Sequence, residues 1–355
     1  MAEKLGSRWR KVITIVTFLA LLLLIYFSRH EIADTFTRLF EINSLILLLI
    51  VFFQLVNNHS YAKMYLSLFK IVGKRLKYRS MFRVALEVNF VNNVFPTAGL
   101  TGFSYFGLRL QEFGINAGKA TLIHLMRFVG VFLSFQILIF FGLLFLAVEG
   151  KVSNFTILVA SSLATLIVVG TAMVAYIVGS RERIDSFFTW ITKAVNRVIQ
   201  VVRPKHPETI KVESSRRMFL DLHRDYNIMR KNYEKLGPWL AYSLLANVAE
   251  VASIYIIYVA FGDVVNPGAI IIAYVIANFA GFISVLPGGI GIYEGLMVAV
   301  LATAGISPGI SIPATVMYRV LTSAIKLPPG YYLYQKAIDQ SGWEKDKAGG
   351  PYDRQ

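Results

Sequence analysis

The chain contains no cysteine. Disulfides, cysteine-ligated zinc and thiol catalysis are thereby excluded. Charge is also scarce: Asp, Glu, Lys and Arg make up 16% of the residues, where an ordinary soluble domain carries roughly 25%. The five histidines (His30, His59, His124, His206 and His223) are scattered without metal-ligand spacing, and there is no nucleotide-binding motif. The longest polar segment, 180–236, holds fewer than sixty residues, too few for a separate catalytic domain. What is abundant is apolar surface, with 55% hydrophobic residues and a mean hydropathy of +0.57. Several stretches reach the length that spans a bilayer. The sequence therefore reads as an all-α polytopic membrane protein. Its net charge of +15 fits basic loops beside anionic lipid. A nucleic-acid partner is disfavoured, because the basic residues adjoin the apolar runs.

Val12–Phe27 reads as a first span behind a basic flank, retained because no small-residue cleavage site follows. Ser44–Phe69 is the second, with Gln54, Asn57, Asn58 and His59 inside it; Gly118–Val148 is the third and Phe155–Val178 the fourth. In 180–236, apolar residues from Ile184 to Val202 recur at helical spacing between Arg, Lys and Asn. That pattern predicts an amphipathic helix in the headgroup plane, followed by a polar, basic helix over Val212–Lys235. Gly237–Phe261 is the fifth span, holding Asn247 and Glu250, and Pro308–Gln335 the sixth. Pro328-Pro329-Gly330 is expected to kink the end of the sixth span, with Tyr331, Tyr332 and Tyr334 as an interfacial belt. Ser341–Gln355 is a polar tail.

Two apolar regions do not fit simple spans. Pro287-Gly288-Gly289-Ile290-Gly291 interrupts Ala269–Ala304, and Pro96-Thr97-Ala98-Gly99-Leu100-Thr101-Gly102 interrupts 80–113. Such backbone cannot continue a helix, and lipid does not tolerate it unless protein or a wet cavity surrounds it. The short helices that follow, Ile292–Thr303 and Gly102–Phe113, would present free N–H groups and a positive dipole end within the membrane. Such an end suits an anion; the plainer alternative is a tightly packed hinge. The two breaks correspond. Arg127 stands 31 residues beyond Pro96 and Arg319 stands 32 beyond Pro287, each within an apolar helix. Matching interruptions in two halves point to a transporter's binding site.

The sequence thus predicts six full transmembrane helices plus two re-entrant helical hairpins, 80–113 and 269–304, in an inverted repeat. The N-terminal membrane half is 1–179, the basic linker 180–236, the C-terminal half 237–340 and the tail 341–355. The Lys/Arg-rich segments are the N-terminus, 70–83 and 181–235. With this count all of them fall on the cytoplasmic side, as do both termini. The first hairpin then enters from the cytoplasm and the second from outside. Arg127 lies about eight residues, or roughly 12 Å, into its helix, and Arg319 sits at a similar depth from the opposite face.

An intramembrane charge costs roughly 3 kcal/mol or more at a helix centre, so each one needs a reason. Arg127 and Arg319 either form structural ion pairs with Glu294, Glu250 or Glu87, or coordinate an anionic headgroup with their planar donor forks. Their recurrence beside glycine clusters favours the second. Lys326, seven residues after Arg319, either continues a basic track on that face or snorkels to the interface. Glu294 either balances an arginine until a phosphate arrives or couples transport to protons. Gly99, Gly102, Gly288, Gly289 and Gly291 would let a ligand approach the backbone closely, next to Pro96 and Pro287. Tyr293 and Tyr105 follow the breaks and read first as packed aromatics. Asn93, with Asn89 and Asn92, is most simply an interhelical hydrogen-bond partner. No metal site and no cofactor are expected.

The Asn-rich run into Pro96, the block Leu286-Pro287-Gly288-Gly289-Ile290-Gly291-Ile292-Tyr293-Glu294, and the downstream Tyr318-Arg319 resemble the lysylphosphatidylglycerol synthase transmembrane-region family, also called flippase-like or UPF0104. The resemblance runs from the first span to Gln335. It implies the lipid-translocating half of the bifunctional members, without the aminoacyl-transferase half. Other members are linked to polyprenyl-phosphate, glycolipid or hopanoid pathways, so the resemblance leaves the lipid open. The expected function is a flippase for a phosphate-bearing lipid with an anionic or zwitterionic headgroup, in the bacterial plasma membrane or an archaeal one. It would not be an enzyme. The alternative is a non-transporting scaffold subunit for a lipid-modifying synthase or glycosyltransferase partner. A homo-oligomer is compatible with either. An intramembrane transferase using Glu294 as base lacks a nucleophile–base pair.

Overall fold

A computed structural model describes residues 44–95, 100–150, 154–180, 224–283 and 291–340, together with Glu182, Arg183 and Ser186. The expected first span, the amphipathic helix over 184–202, the tail 341–355 and most of both breaks lie outside the described residues. Helices α1 (Ser44–Ile71), α2 (Tyr78–Val94), α3 (Leu100–Gln111), α4 (Ala117–Val148) and α5 (Asn154–Val178) come first. A linker helix α6 (residues 224–231) and a 3-10 turn, Tyr233–Leu236, lead into α7 (Gly237–Ala260). Then follow α8 (Pro267–Ile283), α9 (Ile292–Thr303) and α10 (Pro308–Gln340). Among the described residues there is no strand.

Local chemistry sets these boundaries. Asn116 caps α4 by accepting from the Lys119 amide at 3.1 Å. Asn266 does the same for α8, accepting from Gly268 at 2.7 Å. Pro267 and Pro308 open α8 and α10, where their missing N–H costs nothing. Three helical stretches are long and apolar enough by themselves to cross a membrane: Leu45–Ile71, Ala117–Val148 and Tyr233–Ala260. The outer face of α4 leaves Phe140, Phe141, Leu144, Phe145 and Val148 exposed, a surface that lipid would cover.

The paired short helices match in length. α2 and α8 have 17 residues each, α3 and α9 have 12 each. Twelve residues rise only about 18 Å, short of a hydrocarbon core of about 30 Å. The packing is matched as well. α1 lies along α7 in the most extensive contact of the molecule, α4 packs on α8 and α10 on α2, while α3 meets α4 and α9 meets α10. One large apolar cluster joins α1, α4, α5, α7, α8, α9 and α10. A second joins α1 to α4 with Met229 of the linker and Trp239 of α7.

One expectation about the last span changes, that of a tyrosine belt. α10 runs unbroken through Pro328-Pro329-Gly330 to Gln340, because that segment is braced by α2: Gly330 lies against the Phe90 side chain and the Leu86 carbonyl. The tyrosines do not form a shared belt. Tyr332 is exposed, whereas Tyr334 is buried against Phe90 and Tyr105.

Candidate functional site

The polar groups that the sequence scatters along apolar helices meet around α1. Gln54, Asn57, Asn58, Tyr61 and Tyr65 share one face of that helix by spacing. At one end Gln54 reaches a carboxylate on α7; seven residues further along, about 10 Å of helix, Tyr61 lies under Arg127.

Glu250 is the centre of the first group. Its carboxylate accepts from Lys326 Nζ at 2.6 Å, from the Tyr318 hydroxyl at 2.6 Å and from Gln54 Nε2 at 3.1 Å. Three helices, α1, α7 and α10, are thereby joined through one anion. Lys326 neither extends a basic track nor snorkels to the interface; its charge is spent on Glu250. One turn earlier on α7, Asn247 donates to Ser134 of α4 at 2.5 Å and accepts from Tyr274 of α8 at 2.7 Å.

The second group surrounds the start of α9. Gly291 adopts φ of 84° there, a conformation that glycine tolerates, with nothing within 4 Å of where a Cβ would stand. Its amide donates to Glu294 Oε2 at 2.6 Å. The other oxygen of Glu294 lies 3.4 Å from Arg319 Nε. The arginine also lies over the Tyr293 ring at 4.8 Å, and that ring stacks near Tyr318. A carboxylate thus sits at both features expected to attract an anion, hydrogen-bonded at the helix N-terminus and paired by charge with the arginine.

Arg127 is placed differently. It sits among aromatic rings, 5.0 Å over Tyr61 and 5.7 Å over Phe128, with the hydroxyls of Tyr61 and Tyr65 in reach. Among the described residues no ion pair engages Arg127, and its Nε has no hydrogen-bond partner. His124, one turn away, is buried between Tyr65, Phe103, Phe106 and Phe128; its Nδ1 faces the Tyr65 hydroxyl at 3.4 Å, and its Nε2 has no partner. Among the described residues the two arginines therefore differ: Arg319 has a carboxylate partner and Arg127 has none.

The first hairpin carries its own ion pair, which the sequence reading did not single out. Glu87 of α2 accepts from Arg109 Nε at 2.9 Å and from the Tyr105 hydroxyl at 2.8 Å, and Arg109 also pairs with Glu112. Arg109 stands at the end of an apolar helix, where a lone basic residue reads as snorkelling; only the buried Glu87 hinted at a partner. Asn93 is spent on its own helix, donating to the Asn89 carbonyl at 2.9 Å and side chain at 2.7 Å. The open side of Gly102 is filled by the Asn92 side chain, so that glycine brings α3 close to α2. Pro96, Gly99, Pro287, Gly288 and Gly289 lie outside the described residues. Among the described residues no group of three or more His, Cys, Asp or Glu could hold a metal ion.

Sequence comparison agrees with this architecture. Residues 11–330 match the lysylphosphatidylglycerol synthase TM region. Two UPF0104 membrane proteins of Methanothermobacter thermautotrophicus are similar. One is 27% identical over 71% of this chain and 72% of its own length, and the other is 29% identical over 67% and 68%. A UPF0104 membrane protein of Methanocaldococcus jannaschii is 21% identical over 74% of this chain and 76% of its own. The match spans both hairpins, both arginines and the Glu250 cluster, and the chain accordingly belongs to the lysylphosphatidylglycerol synthase transmembrane-region family.

Proposed function

We propose that the protein translocates a phosphate-bearing lipid headgroup between the leaflets of its membrane. The observation that carries this reading is the carboxylate of Glu294, held by Gly291 N–H and Arg319. It acts as a tethered stand-in for phosphate. A headgroup that displaces it gains the Gly291 N–H and the positive charge of Arg319, and the freed glutamate swings aside. Arg127, which among the described residues has no carboxylate partner, supplies the second positive pole beside Tyr61. In this reading α2–α3 and α8–α9 are re-entrant hairpins that enter from opposite faces. Six helices cross fully, and the halves form an inverted repeat. The equal hairpin lengths and the reciprocal packing of α4 on α8 and α10 on α2 support it. Alternating exposure of the shared pocket then moves the headgroup, and the tails stay in lipid.

Reconstitution in proteoliposomes with a fluorescent phosphatidylglycerol, read by dithionite quenching, tests the proposal. Arg319→Ala is expected to slow translocation about tenfold or more, the loss of one charge-assisted contact of roughly 1.5–3 kcal/mol, with an unchanged helical spectrum. Translocation at the wild-type rate in that variant would overturn the reading.

A further inference from the structure

A cavity of about 450 Å³ lies between the linker and α4. Met126, Tyr226, Met229, Arg230, Tyr233 and Leu236 line it. Its position is held by the linker's anchorage. Asp225 is buried 3.8 Å from Lys119 of α4, and Lys119 also donates to the Val72 carbonyl at the end of α1 at 3.2 Å. Met229, on the same helix, is buried in the apolar cluster beneath. The floor is therefore methionine and leucine, adaptable apolar surface. The rim is two tyrosines and an arginine. Arg230 and Tyr233 are exposed, and among the described residues no ion pair engages Arg230.

We propose that this cavity is a docking site for an anionic phospholipid drawn from the adjoining leaflet, with its phosphate on Arg230 and an acyl chain over Met126, Met229 and Leu236. Three observations select that occupant. The apolar stretch that runs into the membrane starts at Tyr233, so the cavity sits where headgroups meet acyl chains. Residues 224–236 carry four basic side chains against two acidic ones, and one of those acids, Asp225, is already paired with Lys119. Tyrosines with an apolar body and a polar tip suit that depth. Met126 directly precedes Arg127, so the cavity wall and that arginine share one turn of α4. The site is thus a waiting station for the translocation pathway proposed above, and it rests on that reading for its role though not for its chemistry.

The test is native mass spectrometry of the full chain in detergent with added phosphatidylglycerol or phosphatidylcholine. The wild-type chain is expected to retain phosphatidylglycerol about fivefold better, the effect of one basic residue near a lipid phosphate. Arg230→Glu, an exposed change that leaves folding intact, should abolish the preference. Met126→Trp, which fills the cavity, should lower retention of both lipids. Arg319→Ala should keep the preference while slowing transport, so a failed transport test and a failed docking test are told apart. Equal retention of the two lipids by the wild-type chain would overturn the inference. So would unchanged phosphatidylglycerol retention in Arg230→Glu, which would give the cavity to another occupant.

Discussion

Glu250 is the side chain on which the described polar network depends. It is buried in α7 and bonded to Lys326, Tyr318 and Gln54. Removing it leaves an ammonium buried without a counter-charge, and breaking one side of a buried pair costs about 3–5 kcal/mol. Glu250→Ala is therefore expected to lower thermal stability in detergent markedly. Glu250→Leu combined with Lys326→Met should recover most of the loss, because no charge is then stranded. If the double variant is as unstable as the single, the pair is not the cause. Glu294 leads to the opposite expectation. Its carboxylate competes with any incoming phosphate for Gly291 and Arg319. Glu294→Gln should therefore raise the affinity for phosphatidylglycerol by about tenfold, the equivalent of roughly 1.4 kcal/mol. Weaker binding in that variant would show that Glu294 serves the site in another way. At this scale the sequence was only partly legible. The arginines and glutamates stood out because charge is rare in apolar helices. Their partners did not, since Glu250 and Lys326 lie 76 residues apart and meet only through helix packing.

The glycines show how the helices approach one another. A Cβ on Gly330 would stand 2.7 Å from Phe90 Cβ and 3.1 Å from the Leu86 carbonyl, while one on Gly170 of α5 would meet nothing within 4 Å. Gly330→Ala is expected to cost about 1–3 kcal/mol by forcing α10 from α2. Gly170→Ala should be neutral or stabilise by up to about 1 kcal/mol through helix propensity. Comparing the two melting temperatures checks this; equal shifts would refute the close crossing. Helix limits were the most readable feature of the sequence. Ile292–Thr303 was expected as a helix and is one, bounded by Gly291 before it and Gly305 after it. The bracing of Pro328-Pro329-Gly330 was not readable, because the support comes from α2, more than two hundred residues earlier.

Across the described residues, two sets of four helices, α1 to α4 and α7 to α10, repeat the lengths of their short helices and exchange their packing partners. The correspondence was visible in the sequence as two glycine-bearing interruptions with an arginine at nearly equal distance. The difference between the halves was not. Only the folded chain shows Arg319 neutralised by Glu294 and Arg127 set among aromatic rings. In the proposed translocation, the headgroup would meet Arg127 and then displace Glu294.

Because the chain has no cysteine, single cysteines report membrane sidedness without a background. Lys74 and Gln111 flank the α2–α3 hairpin, and Val264 and Ser307 flank α8–α9; all four are exposed. In sealed, right-side-out vesicles, a membrane-impermeant maleimide should label Val264→Cys and Ser307→Cys directly, and Lys74→Cys and Gln111→Cys only after permeabilisation. Splitting of either pair across the two faces would contradict opposed re-entrant hairpins, and with them the shared pocket from which translocation is argued.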